Sequence, residues 1–260
     1  MDRTDQLQGI YRPDRPLNFA HRGARRQAPE NTLPAFTRAL ELGADGVELD
    51  VQLSADMVPV IIHNGTVNAT TDGSGQVAKL SLDALRELDA GSHLSAEFAG
   101  TRIPTLDEVF ELIGRRLLIN VELKDFKLNS PLPEIVIDRV RAHGLEQSVL
   151  FSSFNPFMLR ATKRLAPEMP AGYLYAPGLP LPLAKGWLAR PVIGPHEARH
   201  PHFSMVDTGY MNWARQHGYR VNVWTVNEPE DMQQMIGLGV DMIITDVPDV
   251  LHQILVEQMR

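Results

Sequence analysis

The chain has 260 residues, 43% hydrophobic and 22% charged, an ordinary globular balance with enough apolar material for a large core. A formal net charge of −7 argues against generic attraction to nucleic acid or anionic lipid and leaves only a local basic pocket as a way to bind phosphate. With no cysteine, disulfides and thiolate metal sites are excluded, so any metal must be held by Asp, Glu, His, carbonyl oxygen or water.

The opening segment, MDRTDQLQGIYRPDRP, has no apolar core behind a positive flank, and no apolar run is long enough to span a bilayer. The expectation is a cytoplasmic protein with no stable membrane insertion and no nucleic-acid partner. Short apolar runs then alternate with amphipathic stretches almost to the end. Strands are predicted at Leu17–Ala20, Gly46–Val51, Val58–Ile62, Leu117–Leu123, Val149–Ser152, Ala171–Leu174, Pro191–Ile193, Tyr219–Trp224 and Met242–Thr245. Helices are predicted at Leu33–Leu42, Leu106–Ile113, Leu132–Ala142, Pro156–Leu165, Thr208–Gln216, Pro229–Leu238 and Val247–Gln258.

The helix ends carry their own chemistry. Thr105 and Glu108 have the spacing of a capping box, and Asn155-Pro156 and Glu228-Pro229 put proline in a first turn. Gly43, Gly144 and Gly218 follow helices, where a left-handed residue is favoured. Strand–helix alternation implies parallel strands with helical crossovers. About eight such units fit an α/β fold of the closed (β/α)8 type; an open doubly wound sheet is the alternative that periodicity does not exclude. Between His63 and Thr105 the rhythm breaks at TTDGSGQV and LSLDALRELDAG. That stretch, about 64–105, is expected to be a small inserted subdomain after the second strand unit of one domain spanning 1–260.

Two strands carry polar side chains on one face. In Gly46–Leu53, Glu48, Asp50 and Gln52 alternate with valine and leucine; in Leu117–Lys124, Asn120, Glu122 and Lys124 do the same. A solvated face or a surface ion pair is the bland explanation. In a barrel, however, the apolar face meets the helices and the acidic one turns inward. Buried carboxylates that repel one another need a cation, and three from two strands make a hard-oxygen site for Mg2+ or Ca2+. Lys124 is then placed to face a phosphate oxygen. His21 and His63 each close an apolar run, and a pair of imidazoles can supply both acid and base near neutral pH. Arg22 offers a fork for phosphate oxygens.

These residues sit in text that resembles the glycerophosphodiester phosphodiesterase family: His21-Arg22-Gly23-Ala24, Ala28-Pro29-Glu30-Asn31-Thr32, Gly43 through Val51, Pro59 through His63, Ile103-Pro104-Thr105-Leu106, Glu122-Leu123-Lys124, Ser152-Ser153-Phe154, Val223-Trp224-Thr225-Val226-Asn227 and Thr245-Asp246-Val247-Pro248. The likeness spans about residues 17–251 in the expected order. It implies a barrel with an insertion and the hydrolysis of small glycerophosphodiesters to glycerol 3-phosphate and an alcohol, with one divalent cation. It also implies Glu48, Asp50 and Glu122 as metal ligands and His21 and His63 as acid and base. On the substrate side it implies Arg22, Lys124, Glu30 and Trp224, the last as an aromatic wall for the glycerol, with plain core packing its alternative. Two other readings share the pattern: a lysophospholipase D-like enzyme of the same superfamily, whose apolar entrance would be Tyr173–Leu183, with a Pro-rich loop capping the barrel the alternative for that stretch, and a non-catalytic homologue that binds metal and phosphate. One departure matters: the aspartate usual after the second histidine is Asn64 here, and the arginine usual before Thr70-Thr71-Asp72-Gly73 is replaced by Ala69.

Overall fold

The computed structural model describes residues 10–11, 14–125, 127–178, 189–194 and 196–258. Nine strands run in chain order as β1 Leu17–His21, β2 Gly46–Leu53, β3 Pro59–Ile61, β4 Leu118–Leu123, β5 Val149–Ser153, β6 Ala171–Tyr175, β7 Ala198–Pro201, β8 Arg220–Val223 and β9 Met242–Thr245. Eight of them, all but β3, pair in parallel around a closed circuit. The order β1-β2-β4-β5-β6-β7-β8-β9 returns to β1 through the register Leu17↔Met242 to Ala20↔Thr245. Helices α1 Leu33–Glu41, α3 Leu106–Ile113, α4 Leu132–His143, α5 Pro156–Leu165, α6 Ala189–Ile193, α7 Thr208–Gln216 and α8 Pro229–Leu238 cross between strands, α9 Pro248–Gln258 follows β9, and the short α2 Leu82–Arg86 lies after β3. This is a (β/α)8 barrel.

Local chemistry starts and stops the helices as the sequence predicts. Thr105 Oγ1 accepts from the Glu108 amide while the Glu108 carboxylate accepts from the Thr105 amide. Asn155 caps α5 through the Phe157 amide. Gly43, Gly144 and Gly218 all have left-handed φ, at 77°, 65° and 70°.

Alternation divides the core in two. Val47, Leu49, Val51, Ile119, Val121, Leu123, Phe151 and Tyr173 face outward and pack under the helices. Leu17, Phe19, Leu150, Met242 and Ile244 face inward and fill the barrel together with Ile10 and Tyr11. The Tyr11 hydroxyl accepts from Asn222 Nδ2 at 2.8 Å and closes the end where the strands begin.

Two expectations need correction. Pro191–Ile193 is part of helix α6, not a strand. The strand of that unit is Ala198–Pro201, whose Arg-His pair gives no apolar run to read; Arg199 is buried by stacking near Tyr219 and Trp213, 4.3 and 5.5 Å from their ring centres. The third strand, β3, folds back antiparallel on β2 through Val51↔Ile61 to Leu53↔Pro59, so it flanks the barrel. Beyond it the segment to Ile103 gathers Val67, Val77, Leu85, Ala90 and Ile103 around Val60 and Ile62. Of the stretch Tyr173–Leu183, Tyr173–Tyr175 is β6, and positions 179–183 lie outside the described residues.

Candidate active site

The polar side chains collect where the barrel strands end. His21 is the last residue of β1, Glu48 and Asp50 lie on the inward face of β2, and Glu122 stands on β4. The parallel register sets Asp50 opposite Glu122 and Glu48 opposite Asn120. One carboxylate oxygen from each of Glu48, Asp50 and Glu122 lies within 4.8 Å of the others, and all three residues are buried.

Their charges are held unequally. Burial, then the Asp50 and Glu122 charges, pushes the Glu48 carboxyl well above the ordinary carboxylate range. Burial and the Asp50 charge push Glu122 up to about 7. Burial also acts upward on Asp50, but Lys124, Arg22 and His63 outweigh it and hold that carboxyl down at about 2. Lys124 Nζ lies 3.1 Å from Asp50 Oδ1 and 2.9 Å from Glu122 Oε1, and Arg22 Nε is 3.3 Å from Asp50 Oδ2. A trio of oxygen donors with two carboxyls raised by burial and by repulsion within the cluster suits a hard divalent cation, which relieves that repulsion. The trio is therefore a candidate divalent-cation site.

Around the trio the backbone is bent to bring groups inward. Arg22 and Asn31 have φ of 57° and 58°, a left-handed conformation that asparagine tolerates and that is costly for a side chain such as arginine. The Arg22 amide donates to Glu48 Oε2 at 3.1 Å, and Asn31 Nδ2 donates to Asp50 Oδ2 at 2.8 Å. Gly23, with φ of 78°, is obligatory there because a Cβ would lie 2.7 Å from the Ala35 backbone. Glu30 takes Arg22 Nη1 at 2.8 Å and Arg25 Nη2 at 2.6 Å.

The two histidines are backed differently. His21 Nδ1 is 2.7 Å from Asp246 Oδ1, and its Nε2 is 4.0 Å from Glu48 Oε2. Asp246 is steadied by Asn227, whose Nδ2 donates to Oδ2 and whose Oδ1 accepts the Asp246 amide. His63 Nδ1 is 2.8 Å from Asn64 Oδ1. Burial lowers both imidazoles, against the upward pull of Asp246 on His21 and of Asp50 on His63. Gln52 Nε2 lies 2.9, 3.0 and 2.8 Å from the carbonyl oxygens of Ile62, His63 and Asn64, so one amide ties down the strand end that bears His63.

A cavity of about 60 Å3 opens beside the trio and is bordered by His21, Arg22, Glu48, Glu122, Phe154 and Trp224, among others. Trp224 meets Phe154 edge-on at 5.5 Å and donates its indole N–H to the His200 carbonyl oxygen at 2.8 Å. His63 instead borders a smaller hollow beside it with Glu30 and Asn31. Every side chain predicted from the sequence thus lies at this end of the barrel. Asp246, Asn31 and Gln52 were not given roles there; Asp246 stands directly after β9 as Arg22 does after β1, and that position was the available signal.

Several known proteins are similar to this chain over nearly its whole length. A glycerophosphodiester phosphodiesterase of Caldanaerobacter subterraneus is 43% identical over 237 residues, 90% of this chain and 96% of that protein. A phosphodiesterase of Oleispira antarctica, solved in complex with the product sn-glycerol-3-phosphate, matches with TM-score 0.83 at 33% identity, covering 93% of this chain and 97% of that one. A glycerophosphodiester phosphodiesterase of Agrobacterium tumefaciens matches with TM-score 0.77 at 30% identity over 90% and 98% of the two chains. Residues 21–250 match the model of the glycerophosphoryl diester phosphodiesterase family, and the chain belongs to that family.

Proposed function

We propose that this protein hydrolyses glycerophosphodiesters to glycerol 3-phosphate and an alcohol, using His21 and His63 as its acid and base with a divalent cation bound by Glu48, Asp50 and Glu122. In this reading the chain acts as one catalytic unit, with residues 64–105 an insertion hung on the barrel. The observation that carries it is the buried carboxylate trio set beside the His21–Asp246 pair at the strand ends. Bound there, Mg2+ or Ca2+ supplies positive charge against the phosphodiester.

The chain's own residues do the rest. Arg22 and Lys124, already turned toward Asp50, take the remaining phosphate oxygens as charge-assisted donors. Glu30 holds the Arg22 guanidinium in place. Asp246 and Asn64 each accept from an imidazole Nδ1–H, which leaves Nε2 of His21 and of His63 as the atom that exchanges protons. One removes the proton of the nucleophile, which is water or the neighbouring glycerol hydroxyl, and the other protonates the departing alkoxide; where the hydroxyl attacks, water then opens the cyclic phosphate to glycerol 3-phosphate. Trp224 and Phe154 give the glycerol carbons an apolar wall.

The test is choline release from glycerophosphocholine by purified protein, with and without EDTA and then with Mg2+ or Ca2+ restored. Release that stops on chelation and returns with metal is expected. Release that persists undiminished after exhaustive chelation removes the cation from the reaction, and no release with any metal removes the substrate class.

A further inference from the structure

Arg25 stands between the two carboxylates that orient Arg22 and His21. Its Nη2 lies 2.6 Å from Glu30 Oε2, and its Nη1 lies 3.7 Å from Asp246 Oδ1. Glu30 turns its other oxygen, Oε1, to Arg22 Nη1 at 2.8 Å. Asp246 Oδ1 is the same atom that His21 Nδ1 meets at 2.7 Å. The five side chains therefore make one line of alternating charge, in the order Arg22, Glu30, Arg25, Asp246, His21. Among the described residues, Arg25 is the one cation that pairs with both carboxylates.

Regular secondary structure does not supply this link. Residues 22–32 are turns between β1 and α1, whereas Asp246 follows β9, across the seam where the barrel closes. Two side chains of the turn segment cross that seam: Arg25 to Asp246 and, on the exposed surface, Gln27 Nε2 to Asp249 Oδ2 at 3.0 Å. Both carboxylates of the line are largely sheltered while the guanidinium is 32% exposed, so the pairing is screened less than an open surface pair. A guanidinium suits the place because its planar fork offers separate N–H groups to two acceptors, which a point-like ammonium does not. Without it, Glu30 and Asp246 lose their shared counter-charge, and each is free to turn and take Arg22 or His21 with it. Their negative charge would also stand uncompensated beside the site of an anionic phosphodiester.

We propose that Arg25 is a positioning residue that couples Arg22 to His21, holding the phosphate-binding guanidinium and the proton-transferring imidazole in one geometry through Glu30 and Asp246. The roles of Arg22 and His21 are those of the function proposed above, on which this inference rests.

The test is a double-mutant cycle on kcat, measured on the full chain with saturating Mg2+. Glu30→Gln and Asp246→Asn are made singly and together, first with Arg25 in place and then in an Arg25→Gln background. With Arg25 in place, either single substitution breaks the line, and the second finds it already broken. The combined loss of kcat is therefore expected to fall short of the product of the single losses by roughly threefold or more. In the Arg25→Gln background the two losses are expected to multiply. Gln27→Ala cuts the other tie across the seam and is expected to leave that shortfall as in wild type. Losses that multiply with Arg25 in place overturn the inference, as does a shortfall that survives Arg25→Gln. A shortfall that Gln27→Ala abolishes equally makes Arg25 an ordinary strut and overturns it too. The cycle is run on glycerophosphocholine and on bis(p-nitrophenyl) phosphate, a diester without glycerol. Turnover of the second alone sinks the proposed substrate and leaves the coupling readable, and turnover of neither sinks both.

Discussion

His63 Nδ1 lies 2.8 Å from Asn64 Oδ1, so the imidazole is oriented by a neutral amide where His21 is oriented by the Asp246 carboxylate. An amide fixes the ring and its tautomer but adds no negative charge to stabilise the imidazolium. Asn64→Asp is therefore expected to raise the basicity of His63. Whichever limb of the pH–rate profile His63 controls should move to higher pH, because a new carboxylate favours the protonated ring in either role. An unmoved profile would separate His63 from the proton transfers.

Asp246 stabilises protonated His21, and removing its charge acts in the opposite direction. Burial already lowers the His21 imidazole, and the hydrogen bond to Asp246 is the largest influence opposing it. Asp246→Asn is expected to lower kcat roughly 10- to 100-fold and to shift the His21 limb to lower pH. Cation affinity, measured by calorimetry, should change little, since Asp246 lies outside the trio. A variant with wild-type kcat would leave Asp246 a purely architectural residue.

Much of this was legible because it is local. Period-two alternation turned Glu48, Asp50 and Glu122 to the face opposite the outward-packed valines and leucines, and the barrel brings their oxygens together. The Thr105–Glu108 cap needs only a four-residue window. What escaped depends on distant partners. β7 reads Ala-Arg-His-Pro, and its arginine is buried with Trp213 and Tyr219 of the next unit stacked against it. Pro191-Val192-Ile193 is apolar enough to pass for a strand, yet it belongs to a short helix ahead of the true one. Asp246 gave only its place after a strand; its aim at His21 is set by Asn227, nineteen positions back.

Asp50 is the hinge of the site's electrostatics. It is 1% exposed, and Arg22, Lys124 and Asn31 all converge on its two oxygens. Asp50→Ala leaves two half-buried cations facing each other without their shared anion. It is expected to destabilise the fold by roughly 3 kcal/mol, the range for breaking one side of a buried pair. Urea unfolding measures this. Glu122→Gln removes a carboxyl that burial and Asp50 already push up to about 7, so it should cost much less stability while still abolishing cation binding. Equal losses in the two variants would contradict the unequal charging of the trio.

Gln52 gives a test of rigidity without charge. Its amide reaches three successive carbonyl oxygens at the strand end that carries His63, a hub that no backbone group replaces. Gln52→Leu keeps much of the volume and leaves those carbonyls to find water. The expected result is a fall in kcat of about tenfold with little change in cation affinity, since a misplaced acid–base group costs rate. If cation affinity falls in proportion to kcat, the effect lies in the carboxylate strand itself and not in the His63 loop.

The raised carboxyls also fix how cation binding depends on pH. In the cation-free protein Glu122 holds its proton up to about 7, above the value near 4.3 of an unfolded chain, and Glu48 is raised as well. The folded state therefore binds those protons more tightly. Their contribution to stability is fully present below the unfolded value and is lost as pH rises through the folded one. A divalent cation reverses the sign by taking the place of the protons. The increase in melting temperature caused by Mg2+ or Ca2+ should thus be larger at pH 8 than at pH 6. Binding enthalpies at pH 6.5 should vary with the ionisation heat of the buffer, as proton release requires. A thermal shift independent of pH across that interval would mean that the cation binds carboxylates already ionised, and that the repulsion within the trio is relieved by Arg22 and Lys124 alone.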